Sequence, residues 1–325
     1  MNNREILFNE VSLTAHQIQN HLVARNCFEE FVGAVGKLIE SRLAKPVLRS
    51  QLCLQEAEIP TLNEGVWRVA DWLCDQITDR DRRNFILTLV AKIPIESGIG
   101  LSAAQEDALI GYEYRVSQSN GPNVFAFGVA LQTDNVVASV PTCPMWVAYQ
   151  VDTYVCDADI VISRAVVDHI SREEHCDSLA KIFIGRCLDS LDNAVDFRKE
   201  KGNVFPNLLF SPDIDDQVAD IEPSLFPHIM ARLVKMNETA EQWRSKNQVV
   251  PEYRFQWRPE STSTMNNQTF RDARKFRMPN GGEGIFEKHL DFSDRHRIHF
   301  IEDRETKTFI IGYIGNHLPT TKFVH

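Results

Sequence analysis

Two apolar strands joined by a charged turn lie near the end of this chain, and they constrain its fold more than any other stretch. In Arg297-Ile-His-Phe-Ile301 polar and apolar residues alternate, so Ile298 and Phe300 point one way while Arg297 and His299 point the other. Thr308 to Ile314 is almost continuously apolar, as in a central strand, and Glu302-Asp-Arg-Glu-Thr-Lys307 is a solvated hairpin loop. A small twisted antiparallel sheet is the natural outcome. Alternation groups Tyr313 with Phe309 and Ile311, in the core, unless Gly312 and Gly315 mark a bulge that resets the pattern.

The same stretch concentrates proton-transfer and phosphate-binding chemistry. Five of the ten histidines (His289, His296, His299, His317, His325) fall here, beside Arg295, Arg297 and Tyr313. Metal-free RNA cleavage needs a base for the 2′-hydroxyl, an acid for the leaving oxygen and cations for the transition state. Histidine serves either proton role near neutral pH, and arginine clamps phosphate through two hydrogen bonds. Arg297, His299, Tyr313 and His317 are therefore the candidate catalytic set, with Lys275, Arg277, His289 and Arg295 as candidate nucleic-acid contacts. The plainer reading makes the histidines polar caps on a small sheet and the arginines solvated.

Upstream, helical and extended patterns mix. Ile6 to Leu13 reads as a short extended segment. Phe28, Phe31, Val32, Val35, Leu38, Ile39 and Leu43 recur at three and four, and Pro46 ends that helix. Further helices are expected over 62–77, 85–93 and 176–191, and from a Ser224 cap through Trp243. Val124 to Val140 reads as a hairpin turning at Thr133-Asp-Asn135, with strands also over 146–151 and 159–162. The fold class is α+β, without the strict βαβ alternation of a doubly wound sheet. A large mixed α/β domain is expected over 1–247, a linker over the polar, proline-bearing stretch 248–268, and a β module over 269–325.

Charge follows that division. From Arg244 onward there are 14 Lys+Arg against 10 Asp+Glu, although the whole chain carries a formal charge of −10. A basic module on an acidic body speaks to partners rather than to fold. No run approaches the ~18 apolar residues of a membrane span, and the start lacks the pattern of a signal peptide, so a cytoplasmic location without membrane contact is expected. The seven cysteines form no C-x-x-C pair and read as buried apolar residues. His175-Cys176, adjacent on a helix, cannot easily share an ion. No metal and no cofactor are expected.

Standard nucleotide-binding and hydrolase motifs are absent, and Asn280-Gly-Gly-Glu-Gly284 precedes a strand-like segment rather than a helix, so it reads as a turn. Asp157-x-Asp159 places two carboxylates on one face of a possible strand, the seed of a metal-dependent nuclease reading in the acidic domain.

The segment Arg297-Ile-His-Phe, the charged turn and Phe309-Ile-Ile-Gly-Tyr-Ile-Gly-Asn-His317 resemble the closing strands of RelE/ParE-type toxins. The pattern covers roughly the last 50–75 residues. Ile311-Gly-Tyr-Ile-Gly-Asn-His-Leu-Pro-Thr320 also resembles the ending of uncharacterised bacterial proteins found among mobile-element and phage-defence genes, and Phe8-Asn-Glu-Val-Ser-Leu13 their opening. The toxin resemblance implies a RelE-like twisted antiparallel module that cleaves mRNA without metal, usually on the ribosome. Arg297 would bind phosphate, and His317 would be the Gly-His residue near the active strand. The helical hairpin that normally precedes such a sheet is not evident after Arg244, unless the 224–246 helix supplies part of it. ParE-type relatives bind gyrase and cleave nothing, so fold alone does not fix activity. The implied function is a defence or toxin-type protein, with RNA or the ribosome and a neighbouring defence or antitoxin protein as partners. The alternative is a non-enzymatic subunit of a phage-defence complex.

Overall fold

The computed structural model describes residues 4–14, 18–75, 78–89, 93–95 and 99–320. Ile77, residues 90–92 and His325, which entered the expectations above, lie outside that set. The fold is α+β. It divides into two compact units, 1–183 and 184–325.

In the first unit the strands are β1 (Ile6–Phe8), β2 (Leu48–Arg49), β3 (Glu58–Thr61), β4 (Gly65–Arg68), β5 (Glu113–Val116), β6 (Val136–Ala138), β7 (Gln150–Asp157) and β8 (Ile160–Ile170). The helices are α1 (His21–Glu40), α2 (Val69–Cys74), α3 (Arg80–Leu89), α4 (Ala103–Gly111), α5 (Phe125–Gln132) and α6 (Glu173–Asp189), the last continuing across the division. Six strands form a sheet ordered β2-β1-β6-β8-β7-β5, parallel from β2 to β8 and antiparallel beyond. Asn20 caps α1 by accepting from the Val23 amide, and the apolar stripe Phe28, Phe31, Val32, Val35 and Leu38 is buried with Ile6, Phe8, Val136 and Ile170. A second core holds α5, Tyr114, Trp146 and Val167.

Several extended readings become helix. Val124 to Leu131 is not a hairpin arm: Phe125–Gln132 is α5, and only Val136–Ala138 is strand. Ala126 to Ala130 are all buried, and a continuous apolar run carries no period to separate a buried helix from a buried strand. Gly128 lies where a Cβ would strike the Tyr114 ring, which lets α5 settle on β5. The helix expected over 62–77 is instead the β3–β4 hairpin, turned by Gly65 at φ 79°, followed by the short α2. Trp146 closes a 3₁₀ turn, and the strand after it starts at Gln150.

The second unit contains α7 (Ala194–Val204), β9 (Leu208–Phe210), α8 (Ile214–Ala219), α9 (Phe226–Ser245), β10 (Arg258–Pro259), α10 (Thr262–Asn266), α11 (Gln268–Asp272), β11 (Lys275–Arg277), β12 (Glu283–Ile285), β13 (Lys288–Ser293), β14 (His296–Asp303) and β15 (Thr308–Asn316). Its sheet runs β10-β13-β14-β15-β9, antiparallel except for β9 beside β15. Leu225 rather than Ser224 stands at the N-cap of α9. The buried face of α9 (Ile229, Met230, Leu233, Met236, Ala240) shares a core with Leu290, Ile298, Phe300, Phe309 and Ile311.

Residues 248–268 are therefore not a linker but part of this unit. Tyr253, Phe255 and Trp257 pack their rings on Phe300 and Phe309, and β10 pairs with β13. Each aromatic is two residues from the next, so one side of an extended segment faces the core while Arg254, Gln256 and Arg258 face outward.

Candidate functional site

The second unit's sheet is covered on both faces. Ile298 and Phe300 face α9, as alternation predicts, and His299 faces the opposite layer built from α11, β11 and β12. A bulge decides what stands beside it. Phe300 pairs with Ile311 and His299 with Tyr313, so Gly312 is the extra residue. Tyr313 thus moves off the Phe309–Ile311 face and joins His299. Gly312 is also where the Phe286 ring makes its closest approach, 2.5 Å from the position a Cβ would take.

A row of side chains crosses four strands as register partners: Arg258, His289, His299 and Tyr313. The rings of His289 and His299 are 5.2 Å apart, and Tyr313 stacks on Phe276 at 5.1 Å with its hydroxyl donating to the Asn316 carbonyl at 3.1 Å. His299 is 1% exposed, and its Nδ1–H donates to the Phe286 carbonyl at 3.0 Å, since that acceptor admits only the protonated nitrogen. Burial, reinforced by the charge His289 carries when protonated, pushes the His299 pKa down to about 3. Burial also lowers the pKa of His289, against the opposing pull of Glu260.

Glu260 follows β10 directly. Its Oε1 lies 3.6 Å from His289 Nδ1 and 2.8 Å from Arg274 Nη2. Arg274 is fully buried, and its Nη1 donates to the carbonyls of Phe270 (2.7 Å) and Pro319 (3.0 Å). Donor atoms of Glu260, His289 and His299 all lie within 4.8 Å of one another.

The eight residues singled out from sequence fare unequally. His289, His299 and Tyr313 come together. Arg297 sits one position along, bound at 2.7 Å to its register partner Asp291. His317 follows β15, its amide donating to the Arg295 carbonyl, and its charge bears on both His289 and His299. Arg295 is exposed in the β13–β14 turn. Lys275 and Arg277 lie on β11, paired with Asp272 and Asp213. Of the four candidate catalytic residues three are restrained: His299 is buried away from substrate, the Arg297 charge is met by Asp291, and the Tyr313 proton is engaged. Asp157 and Asp159 do not share a strand face. Asp157 ends β7, and Asp159 sits in the turn after Ala158, 95% exposed and paired with Arg115.

Alongside lies a cleft of about 340 Å³ that the sequence reading missed. It is lined by Arg232 and Lys235, one turn apart on α9, by Arg254, Phe255, Trp257 and Arg258, and by His289 and Asp291. Asp291 is the single carboxylate among four permanent cations. It is shared with Arg297 and held 3.8 Å from Arg258, and among the described residues neither Lys235 nor Arg254 forms an ion pair. The Tyr253-x-Phe-x-Trp257 alternation was the available signal, because it fixes Arg254 and Arg258 on one outward side. A more open hollow of about 690 Å³ in the first unit presents Arg25, but Glu29 and Asp75 already bind that guanidinium.

Among the described residues no helix is long and apolar enough to cross a membrane. Comparison with protein-family models, curated proteins and solved structures finds no match.

Proposed function

We propose that the second unit binds single-stranded RNA, with phosphates on Arg232, Lys235, Arg254 and Arg258. The observation carrying this reading is four cations lining one cleft with a single shared carboxylate. Cations that track phosphates supply the sequence-independent part of nucleic-acid binding. The resemblance of β14 and β15 to RelE/ParE-type closing strands favours RNA as the polymer, and a toxin or defence setting as the context, with the ribosome or a neighbouring gene product as further partners. Binding is proposed rather than cleavage, because His299, Arg297 and Tyr313 are held by the protein's own groups.

Fluorescence anisotropy with a labelled single-stranded RNA tests it. In a Lys235→Ala/Arg254→Ala variant the dependence of log affinity on log salt should become shallower by about 1.4, two phosphate contacts at about 0.7 each. An unchanged slope refutes the cleft assignment. A DNA strand of equal sequence is the comparison, and tighter binding to DNA would overturn the choice of RNA.

A further inference from the structure

We infer that Glu260, His289 and His299 form a binding site for a divalent transition ion of the zinc type. The inference is independent of the RNA reading and stands on three observations.

First, the donor set is right. Two imidazole nitrogens and one carboxylate oxygen suit zinc and its neighbours and discriminate against magnesium and calcium, which demand oxygen ligands. The three donors already lie within 4.8 Å of one another. A tetrahedral zinc with bonds of ~2.0–2.1 Å needs donor separations of roughly 3.3 Å. Small side-chain rotations close that difference.

Second, the backbone holds the donors rigidly. His289 and His299 are register partners on adjacent antiparallel strands. Glu260 is fixed by Pro259 pairing with Lys288, and by its own amide donating to the Glu287 carbonyl at 2.9 Å. Metal sites on strands are better preorganised than sites on loops.

Third, the surroundings do what the outer partners of a metal site do. The His299 Nδ1–H is committed to the Phe286 carbonyl, which leaves the Nε2 lone pair to bind. His289 Nδ1 is buried without a hydrogen-bond partner, a cost that a bound ion removes. Arg274 orients the Glu260 carboxylate, and its positive charge moderates the affinity. His289 also lines the cationic cleft, so the site borders it.

The test uses the full chain, stripped with EDTA and titrated calorimetrically with Zn²⁺. Saturable binding of one ion per chain is expected, with Mg²⁺ giving no comparable heat. Cobalt substitution should show d–d bands without thiolate charge transfer, separating this site from the seven free cysteines. His289→Ala, at a position 14% exposed, should weaken binding at least ~100-fold, beyond the 10–100-fold typical of outer-partner losses. Far-UV circular dichroism confirms that this variant is folded. His296→Ala, at a residue whose ring contacts Ser293 and Phe292, should bind as wild type does. Undiminished zinc binding in His289→Ala, thiolate bands with cobalt, or no binding by the folded wild type would each overturn the inference.

Discussion

Arg274 and Glu260 meet 2.8 Å apart, with no part of the Arg274 side chain exposed. The cost of burying this guanidinium is offset in part by the Glu260 carboxylate at Nη2 and by two backbone carbonyls at Nη1, while Nε has no hydrogen-bond partner among the described residues. The pair fixes the layer over the β13–β15 face, and so fixes what His289 and His299 can touch.

Removing one partner leaves the other charge buried and unmatched. Arg274→Met should lower stability by ~3–5 kcal/mol, whereas adding Glu260→Gln should restore a substantial part. Urea denaturation read through the tryptophans measures both. A loss below ~0.5 kcal/mol in the single variant would show that the pair does not brace the layer.

Gly312 carries a steric rather than a chemical role. A methyl there would sit 2.5 Å from the Phe286 ring, so Gly312→Ala should cost ~1–3 kcal/mol by overpacking. Shrinking the ring with Phe286→Leu in the same chain should reduce the added penalty. Equal penalties with and without the ring would place the cost in the backbone bulge instead.

His169 makes the first unit acid-sensitive. Its Nδ1–H donates to the Ala148 carbonyl at 2.6 Å, and its Nε2 accepts from the Ser139 hydroxyl at 2.7 Å. Full burial, aided by nearby His175, lowers its pKa from 6.5 to about 4. The unfolded chain therefore binds the proton more readily, and stability present above pH 6.5 is lost as the pH falls toward 4. Between pH 7 and pH 5 the loss from this residue is on the order of 2 kcal/mol. Urea midpoints at the two pH values should fall more in wild type than in His169→Asn, and parallel falls would remove His169 as the cause.

Lys275 and Arg277 provide the counterpart to the cleft variants. Both charges are already met, by Asp272 and Asp213. Lys275→Ala/Arg277→Ala should change RNA affinity by no more than ~2-fold, since exposed, compensated cations contribute little. A loss matching that of the Lys235/Arg254 variant would move the binding surface onto β11.

The parts of the fold legible in sequence were those where one face is buried and the other wet. The α1 stripe at three and four reappears from Phe28 to Leu38, although the helix ends at Glu40, short of Leu43 and Pro46, and the Arg297-to-Phe300 alternation reappears too. Where burial is all-round, as in Phe125–Gln132, the apolar run had no period to read. Where a polar-looking stretch carried only three spaced aromatics, as in 251–259, core was taken for linker.

What could be read locally was a pair of strands with Arg297 and His299 on the face opposite Ile298 and Phe300, because alternation is a property of each strand alone. The sequence also marked Gly312 and Gly315 as places where the pattern could slip. That Tyr313 joins His299 came from strand pairing, since a bulge takes its direction from the strand opposite. Only the tertiary structure buried His299 under Phe286 and brought Glu260 and Arg274 to the row. Those contacts join residues far apart in the chain, and no local propensity encodes them.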